Sequence, residues 1–247
     1  MKSHKLVEGM AEIGLRYRDC RERNALFEEL YDRISNNWRH HREPGRRPSA
    51  ENWKLRVMPK YTEHPRRYIE KQLQKQIVIC LGHDGWGNDM PTASGLVDSR
   101  SRQMNIDIVH DHGGGFELFE VKVASDTPYD AALQILRYGA LYMLYRCEHE
   151  LTECVADKPI MHTSKIGLKV LAPHRYYSRG NVDLPNLERQ LDSQVQSFAA
   201  RCNLGVALSF SFVAFPPDFE YSPGMGCCLI RAAIQSLISP FSGLRPR

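Results

Sequence analysis

Asp107, Glu120 and Lys122 are the residues of this 247-residue chain whose types and spacing best suit chemistry. Side chains alternate along a strand, so Glu120 and Lys122 share one face while Val121 takes the other. Phe116 and Leu118 fall on that same face, which argues that Glu120 is at least partly buried. If the chain turns near Gly113, the strand carrying Asp107 runs back alongside. Asp107 then lies opposite Leu118 or Phe119, diagonal to Glu120, with diagonal neighbours roughly 7–8 Å apart. Two buried carboxylates that close repel each other unless a cation sits between them. Oxygen ligands of this sort suit Mg²⁺ or Mn²⁺, with water and a phosphate completing the shell. Such an ion acidifies a bound water and neutralises charge on the phosphate, and Lys122 is a point charge able to orient that water. Singly the signals are weak. A Glu-x-Lys on a strand is more commonly a solvated ion-pairing face, and a lone Asp at 107 reads as a structural acid.

The elements that must position these residues are legible around them. Residues 104–109 alternate and are rich in branched side chains, and residues 116–123 do the same after the turn Asp111-His112-Gly113-Gly114-Gly115, which predicts a hairpin. Thr127 and Pro128 supply an N-cap and a first-turn proline for a helix over 129–146. Ahead of the hairpin, a helix is expected from Pro65 to about Cys80, and the Gly-, Asn- and Asp-rich residues 82–95 read as loop. His83, Asp84 and Asp89 within that loop could reach the site or contact substrate, and His110, Asp111 and His112 at the hairpin tip could bind a metal, but an exposed loop and a polar turn are the simpler readings. Further on, strands are expected over 165–171 and 205–215, and helices over 187–202 and 227–238. Residues 6–38 are helical in pattern, with Leu26, Phe27, Leu30, Tyr31 and Ile34 on one face. Residues 40–59 break that pattern with Pro44-Gly45 and Pro48. The order predicts an α/β protein with a mixed β-sheet flanked by helices. A helical region and basic connector over 1–60 would precede a core over 61–247.

Composition narrows the class. The chain is 42% hydrophobic and 25% charged with a formal net charge of +4, an ordinary globular balance. No run approaches the roughly 20 apolar residues of a membrane span, and the N-terminus does not read as a signal peptide, so a cytoplasmic location without membrane partners is expected. Seven scattered cysteines contain no Cys-x-x-Cys pair, which predicts reduced thiols rather than a zinc ribbon or a disulfide framework. The absence of a Gly-x-x-x-x-Gly-Lys motif argues against an ATP-driven motor. Arg39, Arg42, Arg46, Arg47, Lys54, Arg56, Lys60, Arg66 and Arg67 cluster with Trp38, Trp53 and Tyr61 among them. That stretch can bind phosphates by charge and stack on bases, or it can be a solvated connector.

Ile106-Asp107 followed by Glu120-Val121-Lys122 on the next strand resembles the PD-(D/E)xK nuclease superfamily, of restriction-endonuclease-like fold. It departs from the name-giving motif in having Ile106 where proline stands. Gln134-Ile135-Leu136-Arg137-Tyr138, in the helix after the hairpin, is similar to the Gln-x-x-x-Tyr motif of the RecB-like branch. Gln134 and Tyr138 are four apart and share a helix face. The resemblance spans residues 65–146 by motif and the later strands by order only. It implies a metal-dependent nuclease acting on nucleic acid, DNA more often than RNA, with Mg²⁺ or Mn²⁺ held by Asp107, Glu120 and the Val121 carbonyl. Lys122, Gln134 and Tyr138 would complete the catalytic group. Glu70 corresponds to a further metal-binding acid on the preceding helix, unless Glu63 takes that place. A homodimer or larger complex is compatible with it. Two rival readings stand beside it: a nucleic-acid-binding subunit with a nuclease-like fold that does not cut, and an unrelated α/β protein whose apolar C-terminal segment mediates assembly.

Overall fold

The computed structural model describes residues 5–18, 20, 23–57, 68–97, 104–179 and 182–241. Five strands form one mixed sheet in the order β1 (Trp86–Pro91), β2 (Asn105–Asp111), β3 (Phe116–Val121), β4 (Lys165–Pro173), β5 (Ala207–Phe215). The first three are an antiparallel meander, and β3–β4 and β4–β5 are parallel. Each parallel step needs a crossover. Helices α4 (Pro128–Cys147) and α5 (His149–Cys154) supply the first, and α6 (Leu184–Cys202) the second. Among the described residues, α1 (Met10–Arg18), α2 (Leu26–His41) and α3 (Ile69–Leu81) precede the sheet, and α7 (Cys227–Gln235) follows it.

The two faces of the sheet bury two separate apolar clusters. On one, Val109, Leu118, Leu168 and Phe210 pack with Phe27, Leu30 and Ile34 of α2, Leu136 and Leu141 of α4, and Leu187 and Leu191 of α6. On the other, Ile108, Phe119 and Leu171 pack with Leu73 and Ile77 of α3 and Ile230 and Ile234 of α7. The α2 stripe is that of a helix with one buried face. Helix α4 instead is buried nearly all round, as a helix between sheet and α2 must be. Its start is fixed by a capping box: Thr127 accepts from the Asp130 amide, and the Asp130 carboxylate receives the Thr127 N–H. The first cluster runs without a break from Leu6 through Trp38 and Trp53 to Ala214. The expected boundary near residue 60 lies among residues 58–67, outside those described.

Three expectations change. Residues 86–91 are a strand, where the glycine, asparagine and aspartate predicted loop. Its ladder to β2 skips Asp89, whose φ of 49° is left-handed, so the polar residues sit at a break in regular pairing. Second, residues 49–57 form a strap along the edge of β1. The Trp53 N–H donates to the Pro91 carbonyl at 2.7 Å and Asn52 Nδ2 to the Ser94 carbonyl at 2.9 Å. A Cβ on Gly87 would meet the Arg56 carbonyl at 2.5 Å, so only glycine lets the strap lie this close. Trp53 is 1% exposed, edge-on to Tyr142 and Tyr145, and Trp38 is 4% exposed. Both are core residues and neither offers a face to a base; Tyr61 lies outside the described residues. Third, Cys80 of α3 and Cys227 of α7 form a disulfide, which corrects the expectation of reduced thiols at those two positions. No helix among the described residues is long and apolar enough to cross a membrane.

Candidate active site

The β2–β3 register pairs Ile108 with Phe119 and Val109 with Leu118. Asp107 is therefore one step further along, level with Glu120, and not diagonal to it as expected. The ladder opens there. The Val121 N–H donates to Asp107 Oδ2 at 3.0 Å, so a side-chain oxygen takes the bond that a strand carbonyl would normally accept. Ile106 and Val109 both reach the α4 side of the sheet while Ile108 reaches the α3 side. Strict alternation is thus broken around Asp107, opposite the break at Asp89.

Asp107 and Asp89 share a cation. Lys71 Nζ, at the start of α3, lies 3.2 Å from Asp107 Oδ1 and 3.0 Å from Asp89 Oδ1, and also donates to Gln74. Burial alone would lower the Lys71 pKa, but Asp107 and Asp89 outweigh it and hold the ammonium above its ordinary value. Next to them Glu120 and Lys122 are each only 6% exposed. Lys122 Nζ lies 3.1 Å from Glu120 Oε1 and 3.2 Å from Asp126 Oδ2. Burial, and then repulsion from Asp107, push the Glu120 carboxyl above its ordinary value against the pull of Lys122. For Lys122 burial pulls downward, and its carboxylate neighbours Glu120 and Asp126 win, raising it. Glu120 is therefore a carboxyl whose charge depends on the cations around it.

Helix α4 closes the site from above. Gln134, Arg137 and Tyr138 line one pocket of about 550 Å³ with Asp107, Glu120, Lys71, Asp89 and Asn105. The Tyr138 hydroxyl donates to the Asn105 carbonyl at 2.6 Å, which ties α4 to the first residue of β2. Burial, with Glu120 and Asp107 nearby, holds that hydroxyl well above its ordinary pKa, so Tyr138 serves as a neutral donor. Lys122 stands beside Glu120 and off the pocket wall.

The remaining candidates lie elsewhere. Glu70 Oε1 accepts from the Val123 N–H at 2.9 Å and the Ser125 hydroxyl at 2.7 Å, with the Ala124 and Ser125 amides at 3.4 Å. Burial would raise its pKa, yet these donors and Lys122 lower it. It braces the turn from β3 to α4, and the residue that α3 delivers to the acids is its neighbour Lys71. The Val121 group seen in the site is its amide, bonded to Asp107. Arg39 and Arg42 pair with Glu148 and Glu150, beyond the far end of α4; ten residues of helix from Tyr138 to Glu148 span about 15 Å. Arg46 pairs with Glu43, and Lys54 and Arg56 pair with Glu51. Arg47 is exposed. Lys60, Arg66 and Arg67, like the alternative Glu63, lie outside the described residues.

The sequence does not single out Lys71. It offers Asp89 as a loop residue able to reach the site but favours an exposed loop, and Arg137 has only its position inside the Gln134–Tyr138 segment to mark it. Among the described residues no three His, Cys, Asp or Glu side chains converge on one point. Two carboxylates do already share one cation, and Mg²⁺ is commonly held by one or two carboxylates with water and phosphate making up the shell. The Asp107–Asp89 pair, with Glu120 adjacent, fits that donor set. No protein-family model, curated protein or solved structure matches the chain.

Proposed function

We propose that this pocket hydrolyses phosphodiester bonds of nucleic acid, DNA in the first place, with a divalent cation, and that the chain is a nuclease of the PD-(D/E)xK kind. The observation carrying this reading is that Asp107 of β2, Glu120 of β3 and Gln134 and Tyr138 of α4 line one pocket, with Lys122 paired to Glu120. A bound Mg²⁺ or Mn²⁺ would acidify water and screen charge on the phosphate. The chain's own residues hold the reactants. Asp107 and Glu120 offer carboxylate oxygens, and the Lys122 ammonium, from behind the wall, holds the Glu120 carboxylate charged and in place while water attacks phosphorus and the bond to the leaving sugar oxygen breaks. Gln134 and Tyr138 form the wall against which the substrate rests. Cleavage of labelled single- and double-stranded DNA and RNA, with metal and with EDTA, tests the reading. Metal-dependent cutting lost in Asp107→Ala supports it, and an unchanged rate in that variant removes it.

A second reading, binding of nucleic acid without cutting, draws on Lys71. Its ammonium already satisfies Asp89 and Asp107, and a fixed internal cation makes a divalent ion unnecessary. Mn²⁺ separates the two: a ligand that binds only the native state raises the melting temperature, which the nuclease reading requires and the second reading does not.

A further inference from the structure

Among the described residues, Arg137 is the pocket-wall cation without a hydrogen bond or ion pair. Lys71 is committed to Asp89 and Asp107, and Lys122, just behind the wall, to Glu120 and Asp126. Arg137 makes no ion pair or hydrogen bond with the described residues, and its Nε is buried with no acceptor. Burial presses this guanidinium below its ordinary pKa. Glu120 and Asp130 act on its charge only from a distance, and an enclosed donor without an acceptor is costly, so such a group persists where a ligand supplies the missing partner. Asn105 lines the same pocket, and its carbonyl is held by Tyr138, the residue after Arg137. The pocket thus presents a planar cationic donor on a helix that is tied to β2.

We infer that Arg137 receives the phosphate of a phosphodiester in this pocket, its guanidinium donating to the non-bridging oxygens. The inference rests on reading the pocket as a phosphodiester site, and it assigns to Arg137 a binding role that the acids and Lys122 do not fill. A guanidinium forks onto two phosphate oxygens, a match that a lysine makes only as a point charge.

The test is an NMR titration of the full chain in EDTA with a thymidine dinucleotide and with its uncharged methylphosphonate counterpart. The wild type is expected to bind the charged ligand more tightly. Arg137→Met, which keeps the aliphatic stem, should weaken the charged ligand roughly tenfold or more and leave the neutral one unchanged, the loss set by a charge-assisted hydrogen bond. Arg137→Lys should recover part of that loss. A wild type that does not distinguish the two ligands, or an Arg137→Met variant that binds both as the wild type does, overturns the assignment. Parallel cleavage assays separate this from the nuclease reading. Charge discrimination lost in Arg137→Met with no cutting by the wild type leaves Arg137 as a phosphate receptor and removes the nuclease. Metal-dependent cutting and binding untouched in Arg137→Met keep the nuclease and remove Arg137.

Discussion

Lys71 illustrates how a single helical step decides what a site contains. Successive residues of an α-helix point about 100° apart, so when α3 begins at Ile69, Glu70 turns to the Val123–Ser125 backbone and Lys71 turns to the acids. A sequence reading places an acid somewhere near the helix start but cannot fix the rotation, because tertiary contacts set it. Two predictions follow from these neighbours. Replacing Lys71 with Met removes the cation between Asp89 and Asp107. It should cost on the order of 1–3 kcal/mol in EDTA by leaving those charges unanswered, and it should enlarge the rise in melting temperature with Mn²⁺. Replacing Glu70 with Ala should cost a similar amount by leaving the turn donors unmatched, while the Mn²⁺ shift persists. A Glu70→Ala variant that loses its Mn²⁺ response would return Glu70 to the metal site. Asp107, Glu120 and Lys122 were legible as neighbours because strand alternation and a hairpin are local rules, whereas Gln134 and Tyr138 were marked by the resemblance to a Gln-x-x-x-Tyr motif and not by helix spacing, which alone reads as helix surface and core edge. Asp89 and Arg137 needed the third dimension.

Away from the pocket, Glu117 faces the Lys169 ammonium and the His110 imidazole. Burial would raise its pKa, but these partners outweigh burial and hold it at about 2. A carboxyl depressed from 4.5 in this way adds stability that is present above about pH 4.5 and is lost as pH falls through 2. Glu117→Gln should flatten that part of the stability profile, worth roughly 3 kcal/mol. Chemical denaturation of both proteins between pH 5 and 2 checks it, and parallel profiles would contradict it.

At the scale of elements, the hairpin, α4, β4, α6 and β5 follow from periodicity and turn residues, and each lies within a few residues of its expected place. Strand β1 does not, since Gly87, Asn88 and Asp89 lack strand propensity and are held by pairing with β2 and by the strap over its edge. That strap also protects an otherwise open sheet edge. The disulfide was hidden for a related reason: Cys80 and Cys227 are 147 residues apart, and only the packing of α7 on α3 brings them together. Closing so long a loop stabilises the native state by up to about 5 kcal/mol in the chain-entropy view. Cys227→Ser should lower the denaturant midpoint substantially under oxidising conditions, and reductant should bring the wild type to the variant's value. Identical midpoints without reductant would show that the bond contributes nothing.

At the scale of the molecule, the chain is a five-stranded mixed sheet between two helical layers, and its acids meet α4 at one end of the meander. The basic stretch expected to grip nucleic acid is largely engaged with Glu43, Glu51, Glu148 and Glu150 where it is described. Arg137 and Lys71 therefore carry more of the electrostatic case than the surface does. The most direct measurement is cleavage of labelled DNA and RNA by the wild type and by Lys122→Ala with Mg²⁺, with Mn²⁺ and with EDTA, both proteins being checked for equal folding. The account predicts metal-dependent cutting by the wild type that falls by at least about a hundredfold in the variant. Equal cutting by both proteins, or none by a folded wild type on any substrate, would contradict it.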